Sequence, residues 1–270
     1  MAWVKEVKKM VKIYYLFCKN CLMAQMEYRF NFFVGVIVES GFVLSKLIYI
    51  FVIYQSGLII EGLSRDSILL FSGTFMLVTG VYVSLFVVNF FKISEDYIHE
   101  GKLDLYITKP ISLQFLTTMR YIDFGLAIPN LIVGSVLLVM GWSRLGIEVS
   151  LANIAGYTLF LIGGIVISYT VMLIPHLFSF WFIKTSAVND LSNDIWEFGH
   201  MPARIYGKTI QTIGIYIIPL FLASNFGPLY LLNQLSVVNM MWGILAPLAL
   251  LLLTRLLWKA AVRNYSSASS

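Results

Sequence analysis

Between Ser67 and Phe91 the chain runs for 25 residues without a charged side chain, and between Ser150 and Ile183 for 34 residues with none but His176. At ~1.5 Å per helical residue the shorter run already exceeds the ~30 Å hydrocarbon core of a bilayer, which takes about 20 apolar residues to cross. A soluble domain carries roughly a quarter charged residues. Here only 12% of 270 residues are charged and 59% are hydrophobic, too few charges to clothe a water-soluble surface. The composition therefore predicts an all-α, multi-pass membrane protein.

Six transmembrane helices are expected, at Asn31–Tyr54, Ser67–Phe91, Tyr121–Trp142, Ser150–Ile183, Thr209–Ser224 and Val238–Trp258. The fourth run would reach roughly 50 Å as a straight helix, so a break at Pro175 is expected. Beyond the fifth run, Asn225, Gly227, Pro228 and Asn233 interrupt the apolar sequence. Residues 225–234 read as a re-entrant segment, tolerated only where protein or water covers the backbone. No polar stretch is long enough for a soluble domain, so an energy-converting module is expected on another chain. The division is an amphipathic N-terminal helix (residues 1–28), a six-span domain (29–258) and a cytoplasmic tail (259–270).

Charge sets the orientation. Lys5, Lys8, Lys9, Lys12 and Lys19 fall within a helical sector of roughly 100°, opposite Trp3, Val4, Val7, Met10, Val11, Tyr14 and Phe17. That is the pattern of an interfacial helix, whose lysines each gain on the order of 1 kcal/mol from anionic headgroups. With both termini in the cytoplasm, that side receives 16 of the 19 basic residues, including Lys184, Arg204 and Lys208, and the outer loops only Arg65 and Arg144. The net charge of +5 then belongs to topology in a cell membrane rather than to a nucleic-acid partner.

Catalytic and metal chemistry find no constellation. Gly101-Lys102 lacks the rest of a phosphate-binding loop, and His99, His176 and His200 are scattered, with no zinc-protease or nucleophile-elbow motif. Cys18 and Cys21 have no second ligand pair nearby, whereas a zinc site needs about four ligands. The charges within spans are more informative. Glu39 and Lys46 share a helical face ~10 Å apart, and a charge in hydrocarbon costs at least ~2.5 kcal/mol. Either they line a translocation path, or Glu39 bonds a neighbouring helix while Lys46 snorkels outward. Asp123 is expected to pair locally at the inner interface, and His176 to pack. Gly73, Gly80, Gly134, Gly141, Gly163 and Gly164 read as close helix contacts, and Phe178, Phe180, Trp181 and Phe182 as an interfacial belt.

The loop after the second span reads Ile98-His99-Glu100-Gly101-Lys102-Leu103-Asp104-Leu105-Tyr106-Ile107-Thr108-Lys109-Pro110. It resembles the "I-x-x-G-x-L-D-x-x-L-x-x-P" signature of permease subunits of ABC-2 type exporters, with Ile107 in place of the usual Leu and Lys109 in place of a common Arg. Met201-Pro202-Ala203-Arg204-Ile205-Tyr206, Ile218-Pro219-Leu220 and Arg263-Asn264-Tyr265-Ser266-Ser267-Ala268 are similar to that family at matching positions. The resemblance implies a transport subunit with no ATPase site of its own, working with a second six-span permease, identical or paralogous, and two ATPase subunits that carry ATP and Mg. It implies a cytoplasmic coupling helix between spans 2 and 3, expected at Ser112–Arg120, with Glu95, Asp96, Glu100, Gly101, Lys102, Asp104 and Pro110 in the coupling surface. Glu39 and Lys46 are the expected path residues, and Asn225, Gly227 and Pro228 the outer gate. The implied substrate is an amphipathic drug, antimicrobial peptide or lipid-linked compound. Two other readings remain: a proton-driven transporter relaying through Glu39, Asp123 and His176, and a membrane scaffold or immunity protein that transports nothing.

Overall fold

The computed structural model describes residues 2–56, 62–181 and 186–265, with the side chains of 2–5, 186–189 and 200 left aside. Met1, Phe182, Lys184 and Ser266-Ser267-Ala268 lie outside the described residues, as do the side chains of Trp3, Val4, Lys5 and His200. Every regular element among those described is helical. The order is α1 (Ala2–Glu27), α2 (Arg29–Ser56), α3 (Ser67–His99), α4 (Asp104–Ile107), α5 (Leu113–Thr118), α6 (Phe124–Arg144), α7 (Leu151–Phe180), α8 (Ser186–Glu197), α9 (Lys208–Ile217), α10 (Phe221–Leu231) and α11 (Val237–Arg263). Five of these, α2, α3, α6, α7 and α11, are long and apolar enough to cross a membrane, and the bent pair α9–α10 makes a sixth candidate.

Polar side chains at the turns set where the rods begin. The Asp123 carboxylate accepts from the Gly125 and Leu126 amides at 2.9 and 3.3 Å, as expected of a local partner. Ser150 and Ser236 cap α7 and α11 in the same way. Each satisfies an amide that the helix start leaves open.

The centre of the bundle is α3, buried along most of its length. One side meets α6 through glycine. A Cβ on Gly73 would stand 2.6 Å from the Leu138 amide nitrogen, and one on Gly141 2.8 Å from that of Leu70, so backbone touches backbone. Gly164 makes the same close approach to Ala223 between α7 and α10, whereas Gly163 meets its neighbours at ordinary distance. The opposite side of α3 carries Phe75, Tyr82, Phe86 and Phe90 into the main core with α7, α10 and α11. By contrast, Val43 is the one buried residue among those of α2.

Two π-helical stretches fall in α3, Val83–Val87 within it and Ile93–His99, which carries it beyond Phe91. In the first, the Ser84 carbonyl accepts the Asp123 amide at 2.9 Å. One turn on, the fully buried Asn89 accepts the Tyr121 amide at 2.9 Å and donates to the Tyr121 carbonyl at 2.7 Å. Asn89 therefore clamps the α5–α6 connection. Replacing it with Leu strands both Tyr121 groups, and losing satisfaction of a buried polar group costs ~1–3 kcal/mol each. Asn89→Leu should lower the thermal midpoint of the detergent-purified chain by several degrees, and an unchanged midpoint would show the clamp to be dispensable.

The bundle has two ends. The base holds Gly101, Pro110 and Ile122 together with α1 and the end of α11, joined by Lys9 to the Pro110 carbonyl (2.7 Å) and Gln25 to the Ile122 carbonyl (2.7 Å). The crown holds Tyr54, Asp66 and Arg144, which bond one another. Three sequence expectations are corrected against this frame. Arg204 was expected at the base, but it donates to the Gly62 carbonyl (3.2 Å) and to Gln234 (2.7 Å) at the crown. The helix α7 passes through Pro175 and ends only after Phe180. Finally, α10 is continuous through Asn225, Gly227 and Pro228, and the 100° bend falls earlier, between Ile217 and Phe221. There Pro219 forces Ile218 out of helical geometry, to ψ 81°.

Candidate functional site

The segment leaving α3 at the base is built around one turn. Gly101 has φ +68°, a conformation that costs residues with a Cβ, and it closes the end of α3 as the Lys102 and Leu103 amides bond back to Asp96 and Tyr97. Leu103 is thereby buried against Tyr97 and the core, while the turn's outward side is open. The C-terminal helix supports it. The Tyr265 hydroxyl reaches the Gly101 carbonyl at 3.4 Å and also bonds the Asp104 carboxylate, and its ring meets Phe180, which in turn packs on Trp258. The turn and the C-terminal stretch singled out in the sequence thus meet in space.

The expected coupling residues divide by environment. Asp96 is engaged within α3 by Lys92 at 2.7 Å, and Glu100 pairs with Lys102 at 2.5 Å on the open surface. That hydrogen bond raises the Lys102 pKa above the usual lysine value. Glu95 and Pro110 are exposed. A helix does form after Pro110, at α5, but Leu116, Thr117 and Thr118 are buried in it. The apolar surface free for a partner is instead on α4, where Leu105 is 66% and Ile107 48% exposed.

The charges within the rods have partners. Asn130 on α6, fully buried, donates to the Glu39 carboxylate at 2.5 Å. Lys46 lies 5.4 Å from the Phe75 ring centroid and 4.0 Å from the Glu197 carboxylate. Phe42, Tyr49, Ser72, Phe75 and this ion pair line a cavity of about 380 Å³. Glu197 was missed in the sequence, as was the face it belongs to. Asp190, Asp194 and Glu197, spaced i, i+4 and i+7, all lie on the exposed side of α8, opposite buried Ser192 and Trp196. Helical periodicity was the available signal.

Asn225 lies within the fold, its carboxamide oxygen accepting the Ala203 amide at 2.7 Å and its nitrogen donating to Ser224 at 2.9 Å. Gly227 faces the Tyr157 ring. His176 is buried beside Ser94, Phe90 and Phe91. Among the described residues no hydrogen bond links Glu39, Asp123 and His176 to one another, and no group of three His, Cys, Asp or Glu residues is placed to hold a metal ion.

An all-helical bundle of long apolar rods with few internal charges, Glu39 bonded by Asn130 and Lys46 by Glu197, defines a multi-pass membrane protein. A family model described as ABC-2 family transporter protein matches residues 41–269, and the chain belongs to that family, whose members are membrane transport components. No curated protein and no solved structure gives a significant match.

Proposed function

We propose that the chain is the membrane-spanning subunit of an ATP-driven ABC-2 exporter, lying in the cell membrane with its base and both termini in the cytoplasm. One observation carries the reading. The turn from Glu100 to Pro110 is held by α3 and the end of α11, and still presents Leu105 and Ile107 outward. A rigid, partly apolar projection of this kind suits transmission of force from a docked partner. The base also collects Lys9, Lys92, Lys102, Lys109 and Arg120, against Arg65, Arg144 and Arg204 at the crown, in keeping with a cytoplasmic base.

In this reading two ATPase subunits carry ATP and Mg and dock on the coupling surface formed by Glu95, Asp96, Glu100, Gly101, Lys102, Asp104 and Pro110, with Leu105 and Ile107 added. A second permease, identical or paralogous, completes the path. The fifth crossing runs through α8 and the turns up to Arg204, since Phe180 is at the base, Trp196 stacks on Tyr82 midway along α3, and Arg204 is at the crown. The pair α9–α10 is then a re-entrant hairpin, in which Asn225, Gly227 and Pro228 serve the outer gate. Glu39, Lys46 and the acidic face of α8 line the path, where charges at membrane depth stay next to water or a partner chain rather than lipid. Residues 1–28 form the interfacial helix, 29–258 the transport domain and 259–270 the tail. The substrate class is an amphipathic drug, peptide or lipid-linked compound.

The test is reconstitution with ATPase chains in vesicles. Export should need hydrolysable ATP and a competent ATPase, and should survive collapse of the proton gradient. Transport without ATP that stops when the gradient collapses would establish the proton-driven alternative. Protection of cells against a toxin that persists with the ATPase disabled would establish the scaffold reading.

A further inference from the structure

A cleft of about 810 Å³ lies apart from the coupling turn and the Lys46–Glu197 cavity. It opens at the base beside α1 and runs between α5, α7 and α11 toward the middle of α3. Its lining joins polar Lys9, Ser112 and Arg255 to apolar Phe86, Ile165 and Leu251.

A chain of neutral hydrogen bonds places Arg255. Its guanidinium donates to the Gln114 carboxamide oxygen at 2.8 Å, the Gln114 nitrogen donates to the Tyr169 hydroxyl at 3.1 Å, and the fully buried Thr118 hydroxyl lies 3.2 Å from the same oxygen. These groups orient the cation without cancelling it. Among the described residues no carboxylate stands within ion-pair distance of Arg255 or of Lys9. Glu6 lines the same cleft and pairs with neither. Arg255 is eight residues before the end of α11, ~12 Å along the helix from that end, and it lines the cleft together with Lys9. A guanidinium with free donors suits a phosphate oxygen pair, which it binds through parallel charge-assisted hydrogen bonds. Leu248 and Leu252, on either side of Leu251 along α11, are exposed and continue an apolar surface away from the cleft.

We propose that this cleft binds an anionic phospholipid of the base-side leaflet, with its phosphate on Arg255 and Lys9 and an acyl chain along Ile165 and Leu251. The recognised chemistry is a phosphate ester anion joined to an apolar tail. Lipid charge selects through the two cations, and the apolar lining excludes head groups that lack a chain. Occupancy ties α1 to α7 and α11 through a ligand, so it stabilises the folded chain by an amount that grows with the logarithm of lipid concentration above Kd.

The test uses the full-length chain purified in a neutral detergent, with native mass spectrometry and thermal midpoints after titration with phosphatidylglycerol, phosphatidylcholine or glycerol 3-phosphate. One phosphatidylglycerol should be retained more tightly than phosphatidylcholine and should raise the midpoint, while glycerol 3-phosphate does neither. Arg255→Gln should weaken retention about tenfold, the loss of one charge-assisted contact. Val166→Trp, which fills the apolar part without changing charge, should displace the lipid, and Arg65→Gln, an exposed cation at the crown outside the cleft, should leave retention unchanged. Equal retention of the two lipids would overturn the proposal, as would Arg255→Gln and Val166→Trp retaining phosphatidylglycerol like the unaltered chain. Competition by glycerol 3-phosphate at equal concentration would assign the cleft to a soluble phosphate and overturn it too.

Discussion

Replacing Leu105 and Ile107 together with aspartate is expected to abolish ATP-dependent export while the chain stays folded and in the membrane. Both side chains are largely exposed, so the folded subunit loses little packing when they change. Under the proposed function they are the apolar centre of the surface on which the ATPase docks. Fully burying a Leu or Ile side chain contributes ~1.5–3 kcal/mol, and interface energy concentrates on a few such anchors. Losing two of them and burying two carboxylates instead removes ~4–6 kcal/mol, or a factor of about 10³–10⁴ in ATPase affinity. Lys102→Gln should cost less than tenfold, because an exposed ion pair such as Lys102–Glu100 is worth ~0–1 kcal/mol. Co-purification of the ATPase and vesicle transport read out the effect, and an unchanged thermal midpoint in detergent confirms folding. Full ATPase retention and transport by the double variant would place the coupling surface elsewhere.

The long uncharged runs were legible because the bilayer imposes a length and a polarity that sequence alone can meet. The α3, α6, α7 and α11 helices stand where those runs lie, and Asp123 caps α6 in the local role its position suggested. Where the reading went astray, tertiary contact outweighed local pattern. Charge counting puts Lys184, Arg204 and Lys208 on one side, yet Ser192 and Trp196 of α8 pack inward and the chain beyond them reaches the crown. Arg204 was assigned by counting charges, and charge counting cannot see that Gly62 and Gln234 supply its acceptors. Pro228 suggested a break, but α10 continues past it while the Asn225 side chain ties the same helix to Ala203, and Pro219 marks the true bend. Asn89 offered no pattern at all, because a single Asn in an apolar run does not name the backbone it will clamp. The turn at Gly101 lay between these extremes. Gly101 was singled out by motif, and the structure supplies its physical reason, a left-handed residue at the end of α3.

The other large effect is expected at the α3–α6 contact. Gly134→Leu should leave almost no folded protein. A Cβ at Gly134 would already stand 2.9 Å from the Leu77 amide nitrogen and 3.0 Å from the Gly73 carbonyl oxygen. Those are backbone atoms of another helix, which cannot turn aside as a flexible side chain can. Alanine there should cost ~1–3 kcal/mol by overpacking. Leucine requires the two rods to separate, and that also withdraws Asn130 from Glu39 and Arg144 from Asp66 and Tyr54, all of which depend on where α6 lies. The combined cost exceeds the ~4–5 kcal/mol that marks exceptional single substitutions and approaches the total stability of an ordinary domain. The internal control is α2, where a Cβ on Gly35 or Gly41 meets nothing within 4 Å. Gly35→Leu and Gly41→Leu should therefore give wild-type yields and thermal midpoints on size-exclusion of the detergent-solubilised chain, whereas Gly134→Leu should aggregate or be degraded. A monodisperse Gly134→Leu protein with an unshifted midpoint would mean that α3 and α6 do not meet backbone to backbone.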